Sequence, residues 1–358
     1  MVDYYIQMST NDKKKVYVGM SGGVDSSLTA FLLKEKGYEV IGVFIKVWQP
    51  DFIECTWKED RLDAMRVAAQ LDIPFITLDL EKEYKKEVID YMIEEYKNGR
   101  TPNPDVYCNR YVKFGAFLKW ARENNADYIA TGHYAKTDNL NLFKGEDNNK
   151  DQSYFLWTLN KNDLKNVLFP IGELKKSEVR KIAEKNNIFT SNKKDSQGLC
   201  FVGTVDIKTL LKEFIKEERG NVLNEEGEII GYHDGAMFYT IGERHNFVIT
   251  KKGTEEKPYY VIRKDSDKNT LIVSHNKPSI KEGDNFELTK INFVNEDFDE
   301  NKIYEARARY RAPLSKIKIK RKDNSFFVEK IEGELVKTSG QSLVIYDGDM
   351  VLGGGIIV

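Results

Sequence analysis

Apolar and polar positions in the first third of the chain follow two rhythms in turn. VYVGM (Val16–Met20) and VIGVFIKVW (Val40–Trp48) are short continuous apolar runs, the pattern of strands covered on both faces. SSLTAFLLKEKG, WKEDRLDAMRVAAQLD and EKEYKKEVIDYMIEEYK instead space their apolar residues as helices do, and Gly37 closes the first of them. PFITLDL and ADYIATGHY read as two further strands, and YVKFGAFLKWARENN as another helix. Alternation of this kind predicts an α/β fold with a parallel sheet, whose ligand site lies at the carboxyl ends of its strands. MSGGVDSS, RTPNPDVYCN and ATGHY fall at such ends, so three loops are expected to line one crevice.

The rhythm changes twice further on. Residues 151–216, with KDQSYFLWTL and KKSEVRKIAEKN, are expected to be largely helical. After Arg219 turn glycines recur at short intervals, and from about Pro278 alternating runs such as KIYEARARYRAP, KIKIKRK and QSLVIYDG read as strands of a small sheet or barrel. The expected organisation is a catalytic α/β domain over residues 1–216, a small β-rich domain over 217–277, and a β-barrel-like domain over 278–358.

Composition narrows the setting. With 358 residues, 41% hydrophobic and 31% charged, the chain has the make-up of a globular protein of several domains. No apolar run approaches the ~20 residues of a membrane helix, and no signal-peptide core opens the chain. MVDYYIQMSTNDKKK is expected to be a mobile arm. Three cysteines, Cys55, Cys108 and Cys200, form no disulfide framework and suit a reducing, cytoplasmic setting. A net charge of −2 does not announce a nucleic-acid partner, so any such site must be a local patch.

The candidate chemistry begins at Gly19-Met20-Ser21-Gly22-Gly23-Val24-Asp25-Ser26, where a strand turns into a helix. Glycines let backbone approach phosphate oxygens, the N-terminal N–H groups favour an anion, and Asp25 suits a bridging Mg²⁺. No Gly-Lys-Ser/Thr follows, so the match is to the pyrophosphate released when ATP is cleaved between its α- and β-phosphates. A glycine turn with a Ser26 or Asp25 cap is the plainer alternative. In TPNPDVYCN the prolines exclude a helix interior, and a helix is expected to start near Asn109, with Cys108 at its N-terminus where a thiolate is stabilised. Asp105 is a candidate acid/base. Lys193 and Lys194 flank the approach to Cys200, whereas Cys55 has no such context. Neither Cys108 nor Cys200 has partners at zinc-ligand spacing, and no metal site is assigned.

SGGVDS resembles the signature of the PP-loop ATP-pyrophosphatase superfamily. TPNPDVYCN, ATGHY, KDQSYFL, DSQGLCF, YTIGERH, ARARYRAP and GDMVLGGG, in this order over residues 15 to 358, resemble the tRNA-specific 2-thiouridylases. The resemblance implies an enzyme that uses ATP and Mg²⁺ to replace the 2-oxygen of the wobble uridine of tRNA with sulfur. It further implies nucleotide contacts from Gly19 to Ser26, Ile45 and Gly132, and contacts to the flipped-out uridine from Asn103, Pro104 and Asp105. Cys108 is implied as nucleophile, Cys200 as persulfide carrier, and His133, Lys150, Asp151, Gln152, Arg309, Tyr310 and Gln341 as tRNA contacts. A cysteine desulfurase or a relay protein would donate the sulfur, and a monomer is expected. Glu243 and Asn246 depart from the family's usual glutamine and glycine in the YTIG turn, and Gly198 and Leu199 depart beside Cys200.

Overall fold

The computed structural model describes residues 13–52, 57–195, 206–251, 257–294, 298–322 and 325–358. The N-terminal arm up to Asp12, Cys55 and Cys200 lie outside the described residues.

The apolar runs pair as the alternation predicts. β1 (Lys15–Gly19), β2 (Glu39–Lys46), β3 (Phe75–Asp79) and β4 (Tyr128–Thr131) form an all-parallel sheet. Within β1 and β2, Val16, Val18, Val43 and Phe44 are buried, as a sheet covered on both faces requires. β5 (Ala135–Thr137) and β6 (Leu142–Lys144) form a hairpin that leaves this sheet, and β7 (Val167–Leu168) returns to its edge. The strand order is β3-β2-β1-β4-β7. The chain leaves β1 toward β2 on one side and reaches β4 on the other, which makes the β1/β4 boundary the switch point where such sheets bind ligands.

The stretch after this sheet is less helical than its sequence suggests. Lys176–Lys185 is a ten-residue helix, but KDQSYFL forms only the short 3-10 turn Ser153–Phe155. Tyr154, Leu156 and Trp157 of this stretch are all fully buried.

Two β units complete the chain. β8 (Gly220–Leu223), β9 (Ile229–His233), β10 (Val248–Ile249), β11 (Tyr260–Asp265) and β12 (Thr270–Ser274) form a five-stranded sheet in the order β10-β9-β8-β12-β11. β13 (Asn285–Phe293), β14 (Tyr304–Arg307), β15 (Ser315–Lys322), β16 (Ser325–Glu332), β17 (Ser342–Asp347) and β18 (Met350–Ile357) close into a six-stranded barrel through the β13–β18 pairing. β18 also pairs with β6, so the hairpin from the first domain extends the barrel's sheet. Tyr154 donates its hydroxyl to the carbonyls of Ala308 and Ser342, and Asn292 donates to those of Trp157 and Leu159. Among the described residues, no helix is long and apolar enough to cross a membrane.

Candidate functional site

A crevice of about 550 Å³ opens at the carboxyl ends of β1 and β4. Its walls come from Gly19 to Ser21 and Gly23 to Ser26 at the end of β1, from Thr131 to Tyr134 at the end of β4, and from Asp105 and Asn109. The three loops singled out in the sequence therefore converge. Ile45, Lys150, Gln152 and Tyr310 also line it, as do Phe155, Lys113, Lys194, Asp195 and Arg311.

The glycine loop is built for close approach. Gly22 has φ +75°, and a Cβ there would lie 2.2 Å from the Asp60 carbonyl oxygen. Gly132 packs onto the start of the helix Val24–Glu35, where a Cβ would come within 2.7 Å of the Ser26 nitrogen. Gly23 differs: its backbone is ordinary extended chain, and a Cβ would meet only the Ser21 hydroxyl at 3.6 Å. No packing requires glycine there, so its bareness serves the open crevice, as a phosphate cradle would need. Ser26 and Ser27 donate their hydroxyls to the Gly23 carbonyl, and Ser26 Oγ accepts from the Ser21 N–H. These bonds fix the loop.

Asp25 faces a set of partners that no local signal announced. Lys176 Nζ donates to its two carboxylate oxygens at 2.7 and 2.9 Å, and the Tyr134 hydroxyl donates at 2.8 Å. Lys176 also pairs with Asp195 at 2.8 Å, which further binds Lys150 and Arg180, each at 2.7 Å. Partial burial opposes ionisation of Asp195, but the bonds from Lys150 and Lys176 prevail and hold its carboxyl well below the usual range. Burial, then the charge and bond of Asp25, push the Tyr134 phenol far above its ordinary value. Lys193 is anchored by Asp60 and Asp63, each at 2.7 Å. Asp25 and Asp60 are thus both occupied by lysine, and among the described residues no three His, Cys, Asp or Glu side chains group to hold a metal. The donor set does not form a resident Mg²⁺ site.

The proline loop begins its helix earlier than the sequence suggested. Asn103 is the cap, its Oδ1 accepting from the N–H groups of Asp105 and Val106, and Pro104 takes the first helical position, where a missing N–H costs nothing. The helix Pro104–Tyr107 continues as the π-wound Cys108–Phe117, so Cys108 lies in the second turn and not at the N-terminus. Gly115 permits this winding, since a Cβ there would stand 2.8 Å from the Arg110 carbonyl oxygen. Cys108 is completely buried, between the crevice-lining Asp105 and Asn109. His133 is buried with its Nδ1 2.7 Å from Thr131 Oγ1, and burial followed by the Lys113 charge pushes its pKa well below the usual imidazole range.

The expected RNA-facing residues divide. Tyr310 lines the crevice with its ring 4.6 Å from that of Phe155, and the Arg311 guanidinium lies 4.9 Å over Tyr310. Asp151 is buried and accepts from the N–H groups of Gly145 and Ser153, while Gln152 accepts from the Tyr134 N–H. Arg309 donates to the Ile241 carbonyl and to Thr338 Oγ1, tying the central domain to the barrel. Gln341 donates to the carbonyls of Thr101 at 2.9 Å and Pro102 at 3.3 Å. In the YTIG turn, Asn246 adopts φ +70°, a region asparagine tolerates better than most residues, so the turn keeps its shape without glycine. Glu243 accepts from the Thr240 N–H and from Asn246.

Fold and crevice together define an α/β protein of the HUP type that carries two β domains. Family models agree: the tRNA methyl transferase HUP domain matches residues 14–204, the tRNA methyl transferase PRC-barrel domain 208–275, and the aminomethyltransferase beta-barrel domain 283–357. The tRNA-specific 2-thiouridylase MnmA of Listeria welshimeri is 46% identical, the match covering 98% of this chain and 96% of that protein. MnmA 1 of Geobacillus kaustophilus, of the same description, is 47% identical over 96% of this chain and 95% of its own length. Among solved structures, the U34-tRNA thiolase NcsA from Methanococcus maripaludis aligns with a TM-score of 0.35 at 18% identity, covering 56% of this chain and 64% of that one. The chain belongs to the tRNA-specific 2-thiouridylase family.

Proposed function

We propose that this protein is a tRNA-uridine 2-sulfurtransferase, which uses ATP to exchange the 2-oxygen of the wobble uridine for sulfur. The observation that carries the reading is the convergence of the phosphate-type glycine loop, Asp105 and the Phe155–Tyr310 rings on one crevice. Membership of the 2-thiouridylase family supports the choice of substrate.

In the first half-reaction the nucleotide binds against Gly19 to Ser26, Ile45 and Gly132, and a uridine extruded from the anticodon loop meets Asn103, Pro104 and Asp105. Extrusion is a physical requirement, because a stacked base does not offer its 2-carbonyl. Uridine O2 attacks the α-phosphorus, the α–β bond breaks, and pyrophosphate leaves, with Asp105 assisting proton transfer. Mg²⁺ would arrive on the nucleotide's phosphates and supply charge neutralisation there. The glycine-loop N–H groups stabilise the charge that develops on the leaving group.

In the second half-reaction, sulfur reaches the activated carbon from a persulfide on Cys200, and AMP leaves. Cys108 either attacks the persulfide first, releasing sulfide that then displaces AMP, or closes the disulfide afterwards. Both routes end in a Cys108–Cys200 disulfide that an external thiol must reduce. A cysteine desulfurase or relay protein reloads Cys200. Asp195, five residues before Cys200 in sequence, lines the crevice, which favours delivery there. Because Cys108 is buried, the Asp105–Asn109 wall must open before its sulfur reacts. His133, Lys150, Tyr310 and Arg311 are the proposed direct contacts to RNA, with Asp151, Gln152, Arg309 and Gln341 acting through the loops they hold.

The test is to incubate the chain with ATP, Mg²⁺, a sulfide source and unmodified tRNA, then weigh the digested nucleosides. A wobble uridine carrying sulfur for oxygen is expected. Cys108→Ser and Cys200→Ser should each abolish thiolation when the sulfur comes from a persulfide donor, while Cys55→Ser retains it. AMP release without thiolated uridine would move the question to the substrate.

A further inference from the structure

The helix Val24–Glu35 starts without a side-chain cap, since Gly23 at the cap position has nothing to offer. The first N–H groups of a helix lack internal partners and, with the helix dipole, attract negative charge. A carboxylate already stands in that first turn: Asp25. Left to itself, it would turn onto those donors and occupy the cradle that a phosphate needs.

Asp25 is held elsewhere. Lys176 grips both of its oxygens, and Tyr134 bonds one of them. The Lys176 side chain is 11% exposed and opens its own helix, Lys176–Lys185, with its backbone N–H donating to Asp147. Its ammonium is steadied from behind by Asp195, which Lys150 and Arg180 hold in turn. With Asp147, three aspartates meet three basic residues, so Asp25 stays paired without leaving the cluster net negative.

We propose that Lys176 is a positioning residue for nucleotide binding: it draws the Asp25 carboxylate off the N-terminus of its own helix and so leaves those N–H groups to the phosphates. Lys176 is not itself part of the crevice wall, whereas Asp25, which it holds, is. The inference rests on the reading of the glycine loop as a nucleotide site.

The experiment is equilibrium binding, without tRNA, of an ATP analogue that cannot be cleaved between its α- and β-phosphates, to the full chain and its variants. Lys176→Met is expected to weaken binding about tenfold or more, the effect of losing a charge-assisted contact. Lys176→Arg restores most of it, and Tyr134→Phe, which keeps the ring and one fewer bond to Asp25, gives a smaller loss of about threefold. In thiolation assays KM for ATP rises more than kcat falls, and KM for tRNA moves little. Lys176→Met binding as tightly as the wild type overturns the proposal, as does a loss that tracks a lowered melting midpoint and that Lys176→Arg fails to rescue. Should Lys176→Met not fold, unaltered binding by Tyr134→Phe overturns it. A wild-type chain that does not bind the analogue overturns the nucleotide reading itself.

Discussion

Gly23 is the cap of the helix Val24–Glu35 and Gly132 packs onto its first turn, and substitution separates their roles. Gly132→Ala drives a Cβ into backbone atoms of Asp25 and Ser26, an overpacking that costs about 1–3 kcal/mol. Gly23→Ala meets no such obstacle and has an ordinary backbone, so the melting midpoint should stay within a degree or two of wild type, roughly. Binding of nucleotide should nevertheless fall with Gly23→Ala, because the methyl group projects into the crevice. Thermal melts beside nucleotide titrations of the two variants check this; equal binding by Gly23→Ala and wild type would mean that no ligand lies against the loop. A second residue-scale prediction concerns His133 and His233, both pushed by burial below the ordinary imidazole value. Each binds its proton more readily unfolded than folded, so stability is complete above about pH 6.5 and declines as pH falls toward the folded values, by about 1.4 kcal/mol per unit of depression. Asp195 and Asp234, held below the usual carboxylate range by their lysines against partial burial, add a further loss only below about pH 4. Urea melts across pH 5 to 7.5 should show the histidine step, and His133→Asn should reduce it.

At the scale of the element, the proline loop owes its position to the far end of the chain. Gln341 bonds the carbonyls of Thr101 and Pro102, the Thr101 N–H donates to the Ser339 carbonyl, and Gly340 presses on the Thr101 backbone with φ +91°. Gln341→Leu should therefore release the loop that carries Asn103 and Asp105. The expected result is a fall in kcat of about tenfold, from a small displacement of reacting groups, with faster amide exchange over residues 101–109. A pure RNA contact would instead raise KM for tRNA and leave exchange unchanged. The loop itself was legible in the sequence, because its two prolines exclude a helix interior. The earlier helix start was not foreseen, since the same Pro104 that forbids a helix interior is welcome at its first position. Lys176, Asp195, Tyr134 and Phe155 were not assigned to the site at all. Each comes from a different part of the chain, and only the fold brings Lys176 and Tyr134 onto Asp25, Asp195 onto Lys176, and Phe155 against Tyr310.

Across the whole molecule, the barrel and the first domain share a sheet and not merely a face. The β5–β6 hairpin pairs with β18, Tyr154 bonds two barrel carbonyls, and Asn292 bonds two carbonyls of the first domain. These two units should unfold in one calorimetric transition; separate peaks assigned to them by hydrogen exchange would contradict the interlock. The alternation of strands and helices revealed the parallel sheet, and the period-two runs near the C-terminus revealed the barrel's strands. The shared hairpin escaped notice because AKT and LFK are too short to carry a period, and a strand's partner is not written in its own residues.

Met350–Ile357 pairs at once with β17, β13 and β6. During synthesis those three strands leave the ribosome before the residues that join them. A message broken before codon 350 would thus yield a barrel that cannot close and a hairpin without its neighbour, all edges of the kind that recruit other chains. Loss of β18 alone should therefore be as damaging as loss of the whole barrel.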